Sequence, residues 1–205
     1  MQNQEWFNSL PIAPISSWQP VSGGDINEAY QVIADGIPYF IKVQPNQSQE
    51  YFAHERRGLQ ELGTVINTPT PIASGDIDHD AYLILNWLTE GPENQSALGT
   101  AVAKMHQKHH DQFGFYTNHH TKSLIKDNSW NNSWRDFYIN QRLIPEVKVA
   151  QQKHRWSEWR NQHFQNMVNA FDHYYSKHPV TASLLHGDLW AGNYMFTEDG
   201  TPTLI

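Results

Sequence analysis

The sequence predicts an α+β protein with a strand-rich first portion and a mostly helical second portion. Two apolar runs, at residues 29–34 and 37–43, flank Asp35-Gly36, and Asp-Gly between such runs is a strong hairpin signal. From residue 93 the spacing of apolar residues changes to the helical period. With 205 residues and 39% hydrophobic content, the chain can bury one sizeable core or two small lobes.

The elements follow in order from local pattern and from the residues that interrupt it. Pro11 and Pro14 end a short first helix, and Gly63 follows the end of a later one. The predicted elements are a helix within residues 1–10, three strands within 18–43, a helix over 49–62, strands at 72–74 and 81–87, helices from 93 (with His109 on its face), over 130–150 and over 157–177, and a strand, loop and hairpin within 184–205.

The predicted helix over 157–177 carries an apolar stripe at helical spacing, formed by Trp159, His163, Met167, Phe171 and Tyr174. The change from strands to helices falls at residues 86–89. We therefore predict a first lobe over residues 1–88 and a second lobe over residues 89–205.

The composition argues against several classes of function. Acidic residues outnumber basic ones by 21 to 14, whereas proteins that bind nucleic acid normally show a basic face. The absence of cysteine excludes disulfides, thiolate metal sites and cysteine catalysis. The apolar runs are far shorter than the roughly 20 residues of a membrane helix, and no signal peptide is evident. We expect a cytoplasmic protein without nucleic-acid or membrane partners; its oligomeric state is left open.

The sequence LLHGDLWAGN at residues 184–193 carries the strongest chemical signal. Asp188 and Asn193 have the spacing D-x-x-x-x-N, and His186 lies two residues before Asp188. Phosphoryl transfer needs a carboxylate against the incoming hydroxyl and an amide oxygen on Mg²⁺, a few ångströms apart. An irregular loop between a buried strand and a hairpin can direct both side chains into one cleft. The alternative is a surface loop with an Asx turn and no chemistry.

Lys42 and Glu55 are predicted to form an ion pair. Strand alternation places Lys42 on the same face as Phe40. In the following helix, Glu55 shares a face with Phe52, Leu59 and Leu62. A carboxylate on such a stripe needs a cationic partner, and a strand lysine paired with a helix glutamate holds nucleotide phosphates in kinase-like folds. The alternative is an edge lysine whose head group reaches solvent.

A glycine-containing loop, SGGDIN at residues 22–27, joins two strands just before the lysine strand. Two glycines alone indicate only a turn, and the loop matches neither the Walker A nor the G-x-G-x-x-G pattern. Its position predicts a loop that covers phosphates with backbone N–H groups. The candidate ATP contacts here are Gly23, Gly24, Asp25, Ile26 and Asn27.

Together these segments resemble the fructosamine kinase (ketosamine-3-kinase) family over residues 20–205. The resemblance rests on GGDINEA at 23–29, YFIKV at 39–43, the helix segment 52–55, the WRDFY and RLIP sequences after residue 130, and LHGDLWAGN at 185–193. The pattern HGDLWxGN is specific to that family among small-molecule kinases with a protein-kinase-like fold.

The resemblance implies a two-lobed protein-kinase-like fold, with an antiparallel sheet and one helix in the N-lobe and a mostly helical, incomplete C-lobe. The activity implied is transfer of phosphate from ATP, with Mg²⁺, to the sugar 3-hydroxyl of ketoamines such as fructosamines and ribulosamines, a repair of glycated protein. The implied roles are Asp188 as catalytic base, Asn193 as Mg²⁺ ligand, Lys42 and Glu55 as phosphate anchor, Asn86, Trp87 and Leu88 as adenine-binding hinge, and Trp190 and His186 at the sugar site.

The sequence departs from the family pattern at three places. Asp25 stands where eukaryotic members carry a cysteine, so a thiol switch is not expected, and Asn86 replaces a more usual acidic hinge residue. In the family, the strand after the last hairpin leads into a second metal-binding Asp, whereas this sequence ends at Leu204-Ile205. We therefore expect a fragment that is inactive or nearly so and prone to self-association.

Two other functions stay open at this stage. One is another kinase of the same architecture that acts on an aminoglycoside, choline or homoserine hydroxyl. The other is a catalytically inactive nucleotide-binding fragment.

Overall fold

The computed structural model describes residues 2–22, 27–120 and 125–205. The chain divides into two compact units, one comprising residues 1–106 with 185–205 and the other residues 107–184. Every residue with a predicted site role belongs to the first unit. The lobe boundary near residue 88 stays a prediction.

In the described part of the first unit, the helices and strands follow one another in chain order. They are α1 (Gln4–Asn8), β1 (Ile15–Pro20), β2 (Glu28–Ala34), β3 (Ile37–Gln44), a 3₁₀ turn (Gln49–Phe52) that continues into α2 (Ala53–Leu62), β4 (Pro71–Ile77), β5 (Asp80–Asn86), α3 (Gln95–His106), and, near the end of the chain, a second 3₁₀ turn (Ala191–Asn193) with the strands Tyr194–Phe196 and Pro202–Leu204.

A five-stranded antiparallel sheet forms the centre of this unit, in the order β1-β2-β3-β5-β4. The predicted hairpin joins β2 to β3, and both Asp35 (φ 49°) and Gly36 (φ 74°) adopt the left-handed conformation that a two-residue hairpin turn requires. The sheet predicted from the first portion of the sequence is therefore confirmed.

Each face of the sheet is covered by a helix. On one face, Trp6 and Phe7 of α1 pack with Ile41 and other buried side chains of the sheet. On the opposite face, Phe52 and Leu59 pack with apolar residues of β5. Alternation along β3 thus sends Ile41 to the α1 side and Phe40 to the α2 side, as the sequence predicted.

In its described part, the second unit contains helical segments and the short strands β6 (His109–His110), β7 (His119–His120) and β8 (Ile125–Lys126). The helical segments are a π-helix (Asp136–Leu143) that continues into α4 (Ile144–Gln152), and α5 (Glu158–Tyr175), followed by β9 (Ala182–Ser183) paired with β6. We number the two terminal strands of the first unit β10 (Tyr194–Phe196) and β11 (Pro202–Leu204).

Two predictions about the helical portion were wrong in detail. The helix predicted to include His109 ends at His106, since His109 pairs with Ser183. The helix predicted over 130–150 begins later because Asn131 exchanges two main-chain hydrogen bonds with Phe113.

The apolar stripe of α5 is largely exposed: Trp159 is 67% and Tyr174 53% exposed, whereas Val168 is buried. The two aromatic rings lie instead against histidines one turn later, with ring centroids 3.9 Å apart for Trp159–His163 and 4.1 Å for Tyr174–His178. Both contacts are local in sequence. At Trp159 and Tyr174 the apolar stripe therefore faces solvent and does not pack into a core.

The strand predicted immediately before the catalytic loop is shorter and earlier than expected. Only Ala182–Ser183 forms a ladder, because its partner strand β6 is two residues long. Ala182 of this strand is buried, whereas Leu185 at the start of the loop is 62% exposed. No helix in the part of the chain that the structure describes is long and apolar enough to cross a bilayer.

Candidate active site

The predicted ion pair between Lys42 and Glu55 is present. Lys42 Nζ on β3 lies 2.8 Å from Glu55 Oε1 and 2.9 Å from Oε2, so the ammonium binds both carboxylate oxygens. The side chains are 17% and 33% exposed, and this partial burial reduces the screening by water that weakens surface ion pairs. The pair fixes the lysine head group on the α2 face of the sheet.

The carboxylate of Asp188 and the amide of Asn193 lie together in the loop before β10. Asn193 Nδ2 donates to Asp188 O at 2.7 Å and to Asp188 Oδ2 at 3.1 Å. Gly187, with φ at 90°, makes the turn into this loop in a conformation that disfavours other residues. Asn193 Oδ1 accepts no hydrogen bond from any described residue, so an oxygen donor remains available next to the carboxylate.

His186 contacts the loop through both ring nitrogens. The N–H of Asp188 donates to Nδ1 at 3.3 Å, and Nε2 lies 3.1 Å from the carbonyl oxygen of Ile205. Because Nδ1 accepts, the proton resides on Nε2, which donates to that carbonyl. A contact between His186 and a sugar, which stays a prediction, would therefore use ring carbon atoms.

The Trp190 side chain lies over Gly192. A Cβ atom on Gly192 would come within 2.5 Å of Trp190 Cζ2, so only glycine allows the ring this position. The ring is 62% exposed and lies two residues from Asp188. The loop that carries Asp188 therefore has an exposed aromatic face.

The predicted hinge follows β5. Asn86 Oδ1 accepts from the Thr70 N–H at 2.6 Å, and the Asn86 N–H donates to Thr70 O at 3.2 Å. The Asn86 side chain only accepts a hydrogen bond here. An acidic side chain at this position could accept the same hydrogen bond. Within the described ranges, the main-chain N–H and C=O of Leu88 have no hydrogen-bond partner.

The predicted glycine loop falls mainly on residues the structure leaves undescribed: Gly23, Gly24, Asp25 and Ile26 lie outside the described residues. Asn27, which follows them, is half-buried. Its Oδ1 atom is buried without a hydrogen-bond partner among residues 2–22, 27–120 and 125–205. Its predicted contact with ATP stays a prediction.

Sequence reasoning missed the segment 67–70, which joins three parts of the unit. Asn67 Nδ2 donates to Thr203 Oγ1 at 2.7 Å and Asn67 O accepts from the Leu204 N–H at 2.9 Å. Thr68 Oγ1 donates to Leu59 O at the end of α2, and Thr70 contacts the hinge as described. These partners lie up to 136 residues apart, so no local pattern signals them.

Strand β11 continues this connection to the catalytic loop. Thr203 and Leu204 are fully buried, and the Ile205 N–H donates to Asn193 O at 3.0 Å. At the preceding hairpin turn, hydrogen bonds from Thr197 and Thr201 hold the pKa of the Asp199 carboxyl below its usual value. Asp199 therefore stabilises the hairpin turn.

Comparison with known proteins agrees with this arrangement. A family model described as fructosamine kinase matches residues 3–205. A "Probable ketoamine kinase" of Lactiplantibacillus plantarum is 48% identical over 200 residues, a match that covers 98% of this chain and 71% of that protein.

Two solved structures share the fold. A Thermobifida fusca protein, provisionally named a fructosamine-3-kinase, has a TM-score of 0.77 and 26% identity, and the match covers 94% of this chain and 68% of that one. A thermostable mutant of an aminoglycoside phosphotransferase, solved with ADP and hygromycin B, has a TM-score of 0.62 and 14% identity, covering 94% of this chain and 66% of that one. The antiparallel sheet and helices therefore form a kinase-like fold. By the family match over nearly its whole length, the chain belongs to the fructosamine kinase family.

Proposed function

We propose that this protein is a kinase that transfers the terminal phosphoryl group of ATP to the 3-hydroxyl of a ketoamine sugar, either a fructosamine or a ribulosamine. The observation that carries the proposal is the hydrogen-bonded pair of Asp188 and Asn193 in the sequence HGDLWAGN. This pair offers a carboxylate for a hydroxyl and an amide oxygen for a metal within one loop.

Asp188 acts as the base in this proposal. Its carboxylate takes the proton of the sugar hydroxyl while the hydroxyl oxygen forms a bond to the terminal phosphorus and the bond from that phosphorus to ADP breaks. One hydrogen bond from Asn193 orients the carboxylate itself. A second from Asn193 to the Asp188 carbonyl, and one from the Asp188 N–H to His186, hold the main chain that carries it. Such prior orientation lowers the barrier because less ordering is needed in the transition state.

ATP is held by the sheet and the hinge. Lys42, oriented by Glu55, is positioned to bind the inner phosphates, and a charge-assisted hydrogen bond from an ammonium to a phosphate is among the stronger protein contacts. The N–H and C=O of Leu88, which have no partner among the described residues, can pair with the edge of the base. ADP is bound to the related aminoglycoside phosphotransferase, which supports ATP as the donor.

A magnesium ion fits the residues present. Asn193 Oδ1 has no hydrogen bond among the described residues and the Asp188 carboxylate lies beside it, and hard oxygen donors of this kind suit Mg²⁺. Asn193 would hold the ion together with phosphate oxygens. When bound, the ion supplies neutralisation of the charge that develops on the phosphates.

Trp190 provides the surface for the sugar. Its exposed ring lies two residues from Asp188 and its position depends on Gly192. An aromatic face packs well against the apolar C–H face of a sugar ring, while the hydroxyl groups remain free for hydrogen bonds. We infer that this contact brings the 3-hydroxyl to Asp188.

The test is ADP formation by the full-length gene product with Mg²⁺ and ATP, compared among fructoselysine, ribuloselysine, hygromycin B, choline and homoserine. We expect turnover with at least one ketoamine, and NMR of the product should show phosphate on the 3-oxygen. Turnover of hygromycin B, choline or homoserine in preference to both ketoamines would contradict the proposal. ATP binding without turnover of any acceptor would indicate a nucleotide-binding module instead.

A further inference from the structure

The segment that follows the hinge is bonded to the hairpin that follows the catalytic loop. The Gly91 N–H donates to Phe196 O, the last residue of β10, at 2.8 Å. Gly91 lies three residues after Leu88, and Phe196 lies three residues after Asn193. The two elements that the proposed function assigns to opposite ends of ATP are therefore joined by a short main-chain bridge.

This contact leaves no room for a side chain at Gly91. A Cβ atom there would lie 2.3 Å from Thr197 O and 2.6 Å from Glu198 Cα, both of them main-chain atoms. The φ of Gly91 is outside the left-handed region, so glycine is not needed for the backbone conformation. Glu90 forms an antiparallel bridge with Thr197 and extends the contact by one residue pair. The close approach of the two main chains therefore depends on the absence of a Cβ atom.

The hairpin side of this bridge is held firmly. Asp199 Oδ1 accepts hydrogen bonds from Thr197 Oγ1 at 2.7 Å and from the Thr201 N–H at 3.0 Å. Phe196 is buried, and Leu204 of the paired strand β11 is fully buried. Because the turn is hydrogen-bonded and its strands are packed, a side chain at residue 91 would displace the segment that carries the hinge.

We propose that Gly91 is a positioning residue that matches the distance between the hinge and the catalytic loop to the span of ATP, an inference that rests on the proposed function. ATP is one covalent molecule whose base binds at Leu88 and whose metal-bound phosphates lie at Asn193. Both ends bind together only when the span of the protein fits that of the ligand, and the gain in affinity from binding both is lost when it does not. Gly91 acts through this separation.

The experiment measures the affinities of ATP and of its two parts, adenosine and tripolyphosphate, by equilibrium titration with Mg²⁺, together with kcat for the ketoamine. It compares the unsubstituted protein with Gly91→Ala and with Gly99→Ala. Gly99 is the matched control because it lies in α3 of the same unit, where a Cβ atom would meet nothing within 4 Å. It therefore reports the effect of the same substitution without a close contact.

In Gly91→Ala, the two main chains must separate by about 1 Å before the new contact reaches an ordinary van der Waals distance. We expect ATP binding to weaken at least about tenfold and kcat to fall about 100-fold, because a displacement of this size misaligns the reacting groups. The affinities of adenosine and of tripolyphosphate should each change by less than about twofold, since each part uses one end of the site. Gly99→Ala should leave all four quantities unchanged.

The outcomes separate this inference from the proposed function. Failure of the unsubstituted protein to bind ATP would overturn the proposed function and the role of Gly91 with it. Unchanged ATP affinity in Gly91→Ala, or an equal loss for ATP and one of its parts, would overturn the positioning role alone. If Gly91→Ala does not fold, amide hydrogen exchange of the unsubstituted protein gives the decision. The Gly91 N–H should exchange as slowly as the bonded amides of β10 and β11, and faster exchange would contradict the inference.

Discussion

Asn193 donates its side-chain amide to two oxygens of Asp188, the main-chain carbonyl at 2.7 Å and the carboxylate at 3.1 Å. The NH₂ group of Asn193 is thus fully used in holding Asp188, and the opposite side of the amide, Oδ1, is free of described partners. One side chain therefore separates two tasks, with nitrogen positioning the proposed base and oxygen available to a metal ion.

This division of tasks predicts the effect of Asn193→Asp. The substitution keeps an oxygen ligand but replaces both donor hydrogens by a negative charge next to Asp188. We expect kcat to fall about 100-fold, comparable to the loss of one positioned donor in other active sites, while ATP affinity in the absence of Mg²⁺ is unchanged. Steady-state kinetics and calorimetry test this. Retention of normal kcat would show that the Asn193 donors do not position Asp188.

Replacing the proposed base itself should slow phosphoryl transfer much more than it weakens ATP binding. Asp188→Asn removes the proton acceptor but conserves size. We expect kcat to fall by about 10²–10⁴-fold, with the dissociation constant for ATP changed by less than about twofold, because the triphosphate is held elsewhere. Single-turnover phosphorylation and equilibrium titration are the measurements. Comparable turnover in the variant would remove Asp188 from its role.

Lys42 and Glu55 should behave as a unit in nucleotide binding. We expect Lys42→Met and Glu55→Gln each to weaken ATP binding by about 1.5–3 kcal/mol, the usual value for a hydrogen bond to a charged group, and the double variant to be little worse than either. Arg57→Gln is the matched control, since Arg57 forms an ion pair with Glu61 on the same helix. Strictly additive losses would show that the pair does not act together toward ATP.

Gly192→Ala should affect the sugar and not the nucleotide. The added Cβ would lie 2.5 Å from Trp190 Cζ2, so the ring must move away from its present position. We expect KM for the ketoamine to rise at least about tenfold, since small displacements of positioning groups are costly, with unchanged ATP affinity. An unaltered KM would show that the position of the Trp190 ring is irrelevant to the sugar.

We expect the free energy of unfolding to fall at high pH because the phenol of Tyr30 is buried. Burial, and then the hydrogen bond to Glu28 at 2.6 Å, raise the pKa of Tyr30 to about 12 from a usual value of 10. The folded protein keeps the phenol neutral while the unfolded chain ionises, so this contribution is complete below pH 10 and is lost as pH rises through 12. Urea unfolding at several pH values should show a steeper loss of unfolding free energy for the unsubstituted protein than for Tyr30→Phe. Equal dependence of the unfolding free energy on pH in the two proteins would contradict this prediction.

Features that depend on short-range periodicity could be predicted from the sequence. The hairpin at Asp35-Gly36 and the pairing of Lys42 with Glu55 both follow from which face a strand or helix turns to its neighbour. The proximity of Asp188 and Asn193 follows from a spacing of five residues in one loop.

Features set by distant partners could not be predicted. The two residues of β9 pair with β6, which lies over 70 residues earlier in the chain. The π-helix over Asp136–Leu143 has no distinguishing spacing in the sequence. The hydrogen bond from Asn67 to Thr203 joins residues separated by 136 positions, and only the tertiary structure brings them together.

The segment 67–70 belongs to the connection between α2 and β4, and its hydrogen bonds limit how the length of this connection can change in evolution. Connections between a helix and a strand usually accept added residues, because few partners depend on their length. Here three of four consecutive residues are bonded to separate elements: β11, the end of α2 and the end of β5. An insertion of even one residue would place at least one of them out of reach of its partner. The length of this connection is therefore under the kind of constraint normally confined to the interior of a strand.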